Sequence, residues 1–236
     1  MQKYQHDGPC KFVSFSGIDG AGRSTQIANL RARLQEAGLR VALITFWDDV
    51  ARLKRIREGA GHTLFKGEKG VGSPEKPVNR RDKNVRSWPM SLVRLGLYFV
   101  DALSLRATVR KVLRSGADFV ICDRYIYDEL ANLNLANPAS RAYVRMIMKL
   151  VPRPNVSYFL DADPVAARAR KPEYPLEFLH ISRASYFTLI ELVGGITVIP
   201  PTSIKSAERQ VVHHALSLLS SNEPRNHPAE HLVGEI

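Results

Sequence analysis

Gly17-Ile18-Asp19-Gly20-Ala21-Gly22-Arg23-Ser24-Thr25 stands between a largely apolar run, Phe12-Val13-Ser14-Phe15, and a helix-like stretch. That order, with the spacing Gly17-x4-Gly22-Arg23-Ser24, matches a phosphate-binding loop in which arginine replaces the usual lysine. Glycines let backbone N–H groups converge on phosphate oxygens, the helix N-terminus adds positive potential, and the Ser24 hydroxyl can hold Mg²⁺. Gly17, Asp19, Gly20, Ala21, Gly22, Arg23, Ser24 and Thr25 are therefore the candidate nucleotide-binding residues. A guanidinium is planar and prefers forked contacts, so Arg23 is expected to grip β- and γ-phosphates differently from an ammonium. The competing account is a plain glycine turn with Arg23 merely exposed. The following helix is marked by Ile27, Leu30 and Leu34 on one face, with Gly38 at its expected end.

The 236 residues, 44% of them hydrophobic, suffice for one elaborated domain. Arg94, Asp101 and Arg106 interrupt the most apolar long stretch, so no membrane span is expected. The N-terminal residues lack a secretory apolar core, and Cys10 and Cys122 are too few for a disulfide framework; a reducing cytoplasm fits best. Neither cysteine has metal-ligand spacing, and Cys122 is expected to pack as a buried thiol. A net charge of +11 favours anionic ligands. Much of it lies between residues 59 and 88, in Lys66, Lys69, Lys76, Arg80, Arg81, Lys83 and Arg86, a stretch that reads as a flexible basic insertion, either solvated or closing on substrate.

Apolar strands are expected at Val41–Phe46, Phe119–Cys122, Val156–Leu160 and Ile196–Ile199. Between them lie helical patterns at Ser91–Arg114, Asp128–Leu135, Ser140–Leu150, Val165–Arg170, Leu176–Leu192 and Ala207–Leu219, with a short basic helix near Ala51–Glu58. The recurrent Leu92, Leu95, Phe99, Leu103, Leu105, Val109, Val112 and Leu113 predict that Ser91–Arg114 is one long helix, with Phe99 on its apolar face. Lys171-Pro172-Glu173-Tyr174-Pro175 breaks the helical run, giving a lid over 168–175, and residues 220–236 form a polar tail expected to be mobile.

Alternating strands and helices imply a mostly parallel sheet covered on both faces, with ligands at the carboxyl ends of the strands. The glycine loop, Trp47-Asp48-Asp49, Asp123-Arg124-Tyr125 and Asp161-Ala162-Asp163 each follow an apolar strand and should meet at one edge. Phosphoryl transfer needs phosphate positioning, a metal near the phosphates and cations that stabilise developing charge. Asp123 suits water-mediated Mg²⁺ binding, with a cap or turn as its alternative, and Arg124 suits an anion. Arg168, Arg170 and Lys171 are placed to reach a nucleotide once a lid closes, or else form a solvated basic face. Trp47, Trp88 and Phe99 either stack on an acceptor base or pack; Asp48 and Asp49 either bind acceptor hydroxyls or cap a helix.

Phe15–Gln26, Val120–Tyr125, Tyr158–Pro164 and the lid Arg168–Pro175 resemble the thymidylate kinase-like family of P-loop nucleoside monophosphate kinases. Over about residues 11–219 the resemblance implies an α/β three-layer sandwich, with a five-stranded parallel sheet in the order 2-3-1-4-5 and a short lid. It implies ATP at the glycine loop and a nucleoside monophosphate opposite, dTMP by default. Arg23, Asp123, Arg124, Arg168, Arg170 and Lys171 would be catalytic, Ser24 and Asp123 would hold Mg²⁺, and Asp19 would lie near the acceptor. Gly20 stands where some relatives carry arginine, which makes the chain look like the type that supplies arginine from the lid.

The acceptor side departs from the family. Phe46-Trp47-Asp48-Asp49-Val50 replaces an Arg-Glu-Pro-Gly-Gly segment, and Val100-Asp101-Ala102 replaces Ala-Asp-Arg. Two other readings therefore stay open: a kinase for a nucleoside or sugar, and a nucleotide-binding module without turnover. The expected partners are nucleotides, with no nucleic acid or membrane; a homodimer is left open.

Overall fold

β1 (Lys11–Ser16) is buried at every position, as befits a strand with helices over both faces. The computed structural model describes residues 8–50 and 88–220, and the side chains of residues 88–91 and 220 are not among those described. The basic insertion, apart from Trp88, lies outside the described residues. So do the basic helix near Ala51–Glu58, the tail beyond Ser220 and the stacking role considered for Trp88.

β2 (Val41–Thr45), β3 (Phe119–Asp123), β4 (Val156–Leu160) and β5 (Ile196–Ile199) complete a parallel sheet in the order β2-β3-β1-β4-β5. The register aligns Phe15 with Asp123, Thr45 with Asp123, and Ser16 with Phe159. The strand ends that lead into the glycine loop and the Asp-Arg-Tyr segment are thereby level at one edge.

Side-chain alternation along the strands divides the core. Phe12, Val120, Cys122 and Phe159 point to one face; Val13, Phe15, Ile121, Tyr158 and Leu160 point to the other. The second face is covered by α1 (Arg23–Glu36) through Ile27, Leu30 and Leu34, and by α7 (Ile204–Ser220) through Ala207, Val211 and Ala215. The first is covered by α2 (Trp88–Leu113), α3 (Ile126–Leu130), α4 (Pro138–Leu150) and α6 (Leu176–Val193). The three-layer α/β sandwich follows, and Cys122 is fully buried in it.

Three local expectations change. In α2 the buried positions are Tyr98, Asp101, Ala102, Ser104, Leu105 and Val109, whereas Leu92, Phe99 and Leu103 are exposed. The long helix forms as expected, but Phe99 is turned outward and polar groups lie inside: the Ser104 hydroxyl donates to the Val50 carbonyl at 2.8 Å, and Asp101 is buried. Phe99 consequently does not pack into the core. The helix expected at Asp128–Leu135 is instead the short α3, with Asn132 donating back to the Asp128 carbonyl at 2.8 Å. Helix α4 begins on Pro138, two residues earlier than expected, and α5 (Pro164–Arg170) begins on Pro164; they are capped by the side chains of Asn137 and Asp163.

Candidate active site

The turn after β1 is built from residues with positive φ. Gly17 (φ 154°), Gly20 (φ 84°) and Gly22 (φ 87°) carry the chain from the strand into α1. A Cβ on Gly17 would lie 2.7 Å from the Leu160 carbonyl oxygen, and one on Gly20 would lie 2.2 Å from that of Ala167. A Cβ on Gly22 would meet nothing within 4 Å, so the loop is open on that side. Helix α1 starts without a side-chain cap or an acidic residue in its first turn, which leaves its leading N–H groups free for an anion. Ser24 and Thr25 are exposed there, while the Ala21 N–H donates within the loop to Ile18 at 3.1 Å.

Arg23 turns inward. Nη1 donates to the carbonyl oxygen of Gly17 in its own loop. The same guanidinium lies 3.4 Å from Asp123, 3.7 Å from Asp128 and 3.8 Å from Asp19, with the side chain only 10% exposed.

Arg124 follows β3 with φ 66°, an unusual backbone conformation for arginine that costs about 1–3 kcal/mol. The kink aims its fork between two acids: Nη2 donates to Asp19 at 2.7 Å and Nη1 to Asp128 at 3.4 Å. Burial works against the Asp19 charge. The cations of Arg124, Arg23 and Lys171 outweigh that cost and hold its carboxyl below the usual range. Burial likewise opposes the Arg124 charge, and Asp128 and Asp19 more than compensate, raising its pKa.

From the lid, Arg170 Nε donates to the Gly20 carbonyl at 2.8 Å, and Lys171 Nζ lies 3.7 Å from Asp19 and 3.3 Å from Glu173. Arg168 does not join this group; it borders an open hollow with Val165, Ala169, Pro172 and Leu176. Asp123 is partly exposed; its buried Oδ1 faces Arg23 Nε at 3.4 Å without a hydrogen bond, and the exposed Ser24 hydroxyl sits at the start of α1. A carboxylate with spare acceptor capacity and a helix-start hydroxyl suit a Mg²⁺ that takes its remaining ligands from phosphates and water.

The other strand-end acids have structural partners. Asp49 accepts the Thr45 N–H at 2.7 Å, closing the π-helical turn Phe46–Val50. Asp161 takes Arg183 of α6, and Asp163 caps α5 through the Ala166 N–H at 2.9 Å. Trp47 is half-buried against Phe46, with ring centroids 5.7 Å apart.

Asp128 is the residue that sequence reasoning missed. Its Oδ2 accepts from the Ser16 hydroxyl at 2.6 Å and the Tyr125 N–H at 3.1 Å; its Oδ1 accepts from the Tyr186 hydroxyl at 2.8 Å. The available signal was an acid three residues after Tyr125, where a side chain reaches back to the N–H ahead of a helix. Tyr186 carried no such signal, because only the fold brings α6 to this edge.

No protein-family model matches the chain. It is 24% identical over 209 residues to a probable thymidylate kinase of Methanosphaera stadtmanae, covering 87% of this chain and 96% of that one. It is 29% identical over 189 residues to a probable thymidylate kinase of Staphylothermus marinus, covering 76% and 81%. Among solved structures, a thymidylate kinase from Ehrlichia chaffeensis aligns with a TM-score of 0.56 at 19% identity, over 89% of this chain and 99% of that one. At that identity the likeness is one of fold.

Proposed function

We propose that the chain is a divergent member of the thymidylate kinase-like family of P-loop nucleoside monophosphate kinases, and that it transfers the γ-phosphoryl group of ATP to a nucleoside monophosphate. The acceptor is dTMP and the products are dTDP and ADP. One observation carries this reading: an open glycine loop, the kinked Arg124 and the lid residues Arg170 and Lys171 meet around Asp19 and Gly20 at one sheet edge.

Phosphoryl transfer asks little covalent chemistry of a protein and much positioning. The N–H groups at the start of α1 bind the donor phosphates, and Arg124, Arg170 and Lys171 supply positive charge where charge develops on the transferring group. Asp19, tied to both Arg124 and Lys171, orients these cations from the acceptor side. Ser24 and Asp123 would hold Mg²⁺, which when bound neutralises charge on the donor phosphates. The lid, latched to the loop through Arg170, excludes water from the transfer. The same reading places the enzyme in the cytoplasm with nucleotides as its partners. Among the described residues, no helix is long and apolar enough to cross a membrane.

A different small-molecule acceptor is the second reading, and Ala102 favours it. Where the family carries arginine in the long helix, this residue is a fully buried alanine. The test is ADP release from ATP and Mg²⁺ with a panel of monophosphates, nucleosides and sugars, and mass spectrometry of the products. Turnover with dTMP is expected. Turnover with a different acceptor alone replaces dTMP, and silence across the panel overturns the kinase reading.

A further inference from the structure

The inward course of Arg23 has a cause in the residues around it. Of the three acids within 4 Å of its guanidinium, Asp19 and Asp128 are both shared with Arg124, Asp19 also takes Lys171, and Asp123 is 28% exposed. Asp128 is the most deeply held of the three. Its side chain is 3% exposed and anchored by the Ser16 hydroxyl, the Tyr125 N–H and the Tyr186 hydroxyl, donors from β1, the start of α3 and α6. It cannot follow an arginine that swings toward the loop mouth, and it lies 3.7 Å from Nη1, the same nitrogen that donates to the Gly17 carbonyl.

We propose that Asp128 is a positioning residue that holds Arg23 inward as a brace of the glycine loop, so that Arg23 and Asp128 work as a matched pair. A planar fork can engage the Gly17 carbonyl and the acids at once, whereas a lysine offers a single point charge on a flexible stem. Lysine at position 23 would therefore be captured by the acids beneath the loop and would neither brace the loop nor reach the phosphates. Neutralising position 128 would release it. The pair thus accounts for an arginine standing in a loop that ordinarily carries lysine. This inference rests on the nucleotide-binding part of the proposed function and not on the identity of the acceptor.

The experiment is a double-mutant cycle on the full chain with Arg23→Lys, Asp128→Asn and the double variant. It is read as Mg²⁺·ADP affinity by calorimetry and as kcat and KM for ATP. Each single variant is expected to weaken Mg²⁺·ADP binding about tenfold or more, and the double variant to bind at least as well as the better single variant. Losses that multiply to within about twofold overturn the pairing, as does an Arg23→Lys variant that binds like the parent. If Asp128→Asn does not fold, Asp128→Ser, which also removes the charge, replaces it in the same cycle. The same non-multiplicative pattern is then expected, and multiplying losses overturn the proposal. A parent that binds Mg²⁺·ADP but turns over no acceptor defeats the kinase reading and leaves this test intact.

Discussion

Arg170 Nε donates to the carbonyl oxygen of Gly20 at 2.8 Å, so the end of α5 is latched to a loop 150 residues away in the chain. The approach is close enough that a Cβ on Gly20 would stand 2.2 Å from the Ala167 carbonyl oxygen, in a backbone already at φ 84°. Gly20→Ala must therefore push the lid off the loop. The expected cost is at least ~2 kcal/mol, with lower turnover. Gly22→Ala meets no protein atom within 4 Å, and its φ of 87° alone costs about 1–2 kcal/mol. Its larger effect should be on Mg²⁺·ADP affinity, since its Cβ enters the open side of the loop. Urea unfolding and calorimetry on both variants check this division, and equal stability losses would contradict it.

Asp161 and Arg183 form a two-pronged ion pair, with Nε to Oδ1 at 2.6 Å and Nη2 to Oδ2 at 2.7 Å. The Asp161 side chain is 5% exposed, so removing its partner strands a buried carboxylate. Arg183→Leu is expected to destabilise the fold by about 2–4 kcal/mol in urea unfolding. Adding Asp161→Asn should restore part of that loss, because the stranded charge is then gone.

The Asp19 carboxyl is held below its ordinary 3.8 by its cations, against the cost of burial. A folded-state pKa lower than the unfolded one contributes stability that is fully present above 3.8 and lost as pH falls through the depressed value. Melting temperature followed from neutral pH into acid should therefore show a larger gap between parent and Asp19→Asn at neutral pH, closing below 3.8. A gap that widens in acid would be the wrong sign.

Burial, aided by the nearby Asp118 charge, pushes the Cys10 thiol up to about 11 from 9.0, and Cys122 is wholly buried. At pH 8 the Cys10 thiolate fraction falls about a hundredfold relative to an ordinary thiol, and alkylation should slow in proportion. Mass spectrometry after brief iodoacetamide treatment should find Cys122 unmodified in the folded protein, Cys10 barely modified, and both alkylated in guanidinium.

Much of the site was legible because local chemistry governs it. Glycines at 17, 20 and 22 announce positive φ, and an apolar strand ending in Asp123-Arg124 announces a site-edge acid and cation. The outward turn of Phe99 was not legible, since the buried face of α2 takes in Asp101 and Ser104 and leaves Phe99 outside. Asp161 looked like a site acid by position and proved to be the partner of Arg183, a pairing set by the packing of α6 on the sheet.

The order of strands, loops and helices, and the edge at which the chemistry gathers, were set by the sequence alone. Apolar alternation and glycine placement act over a few residues, and a parallel sheet leaves one edge for strand-end loops. The direction of Arg23 was decided only in the tertiary structure. Its guanidinium answers to Asp19 of its own loop, to Asp123 and Asp128 of the β3–α3 segment, all within 4 Å, and to Tyr186, which anchors one of them from α6. Electrostatics between buried groups depends on distances that only the folded chain creates.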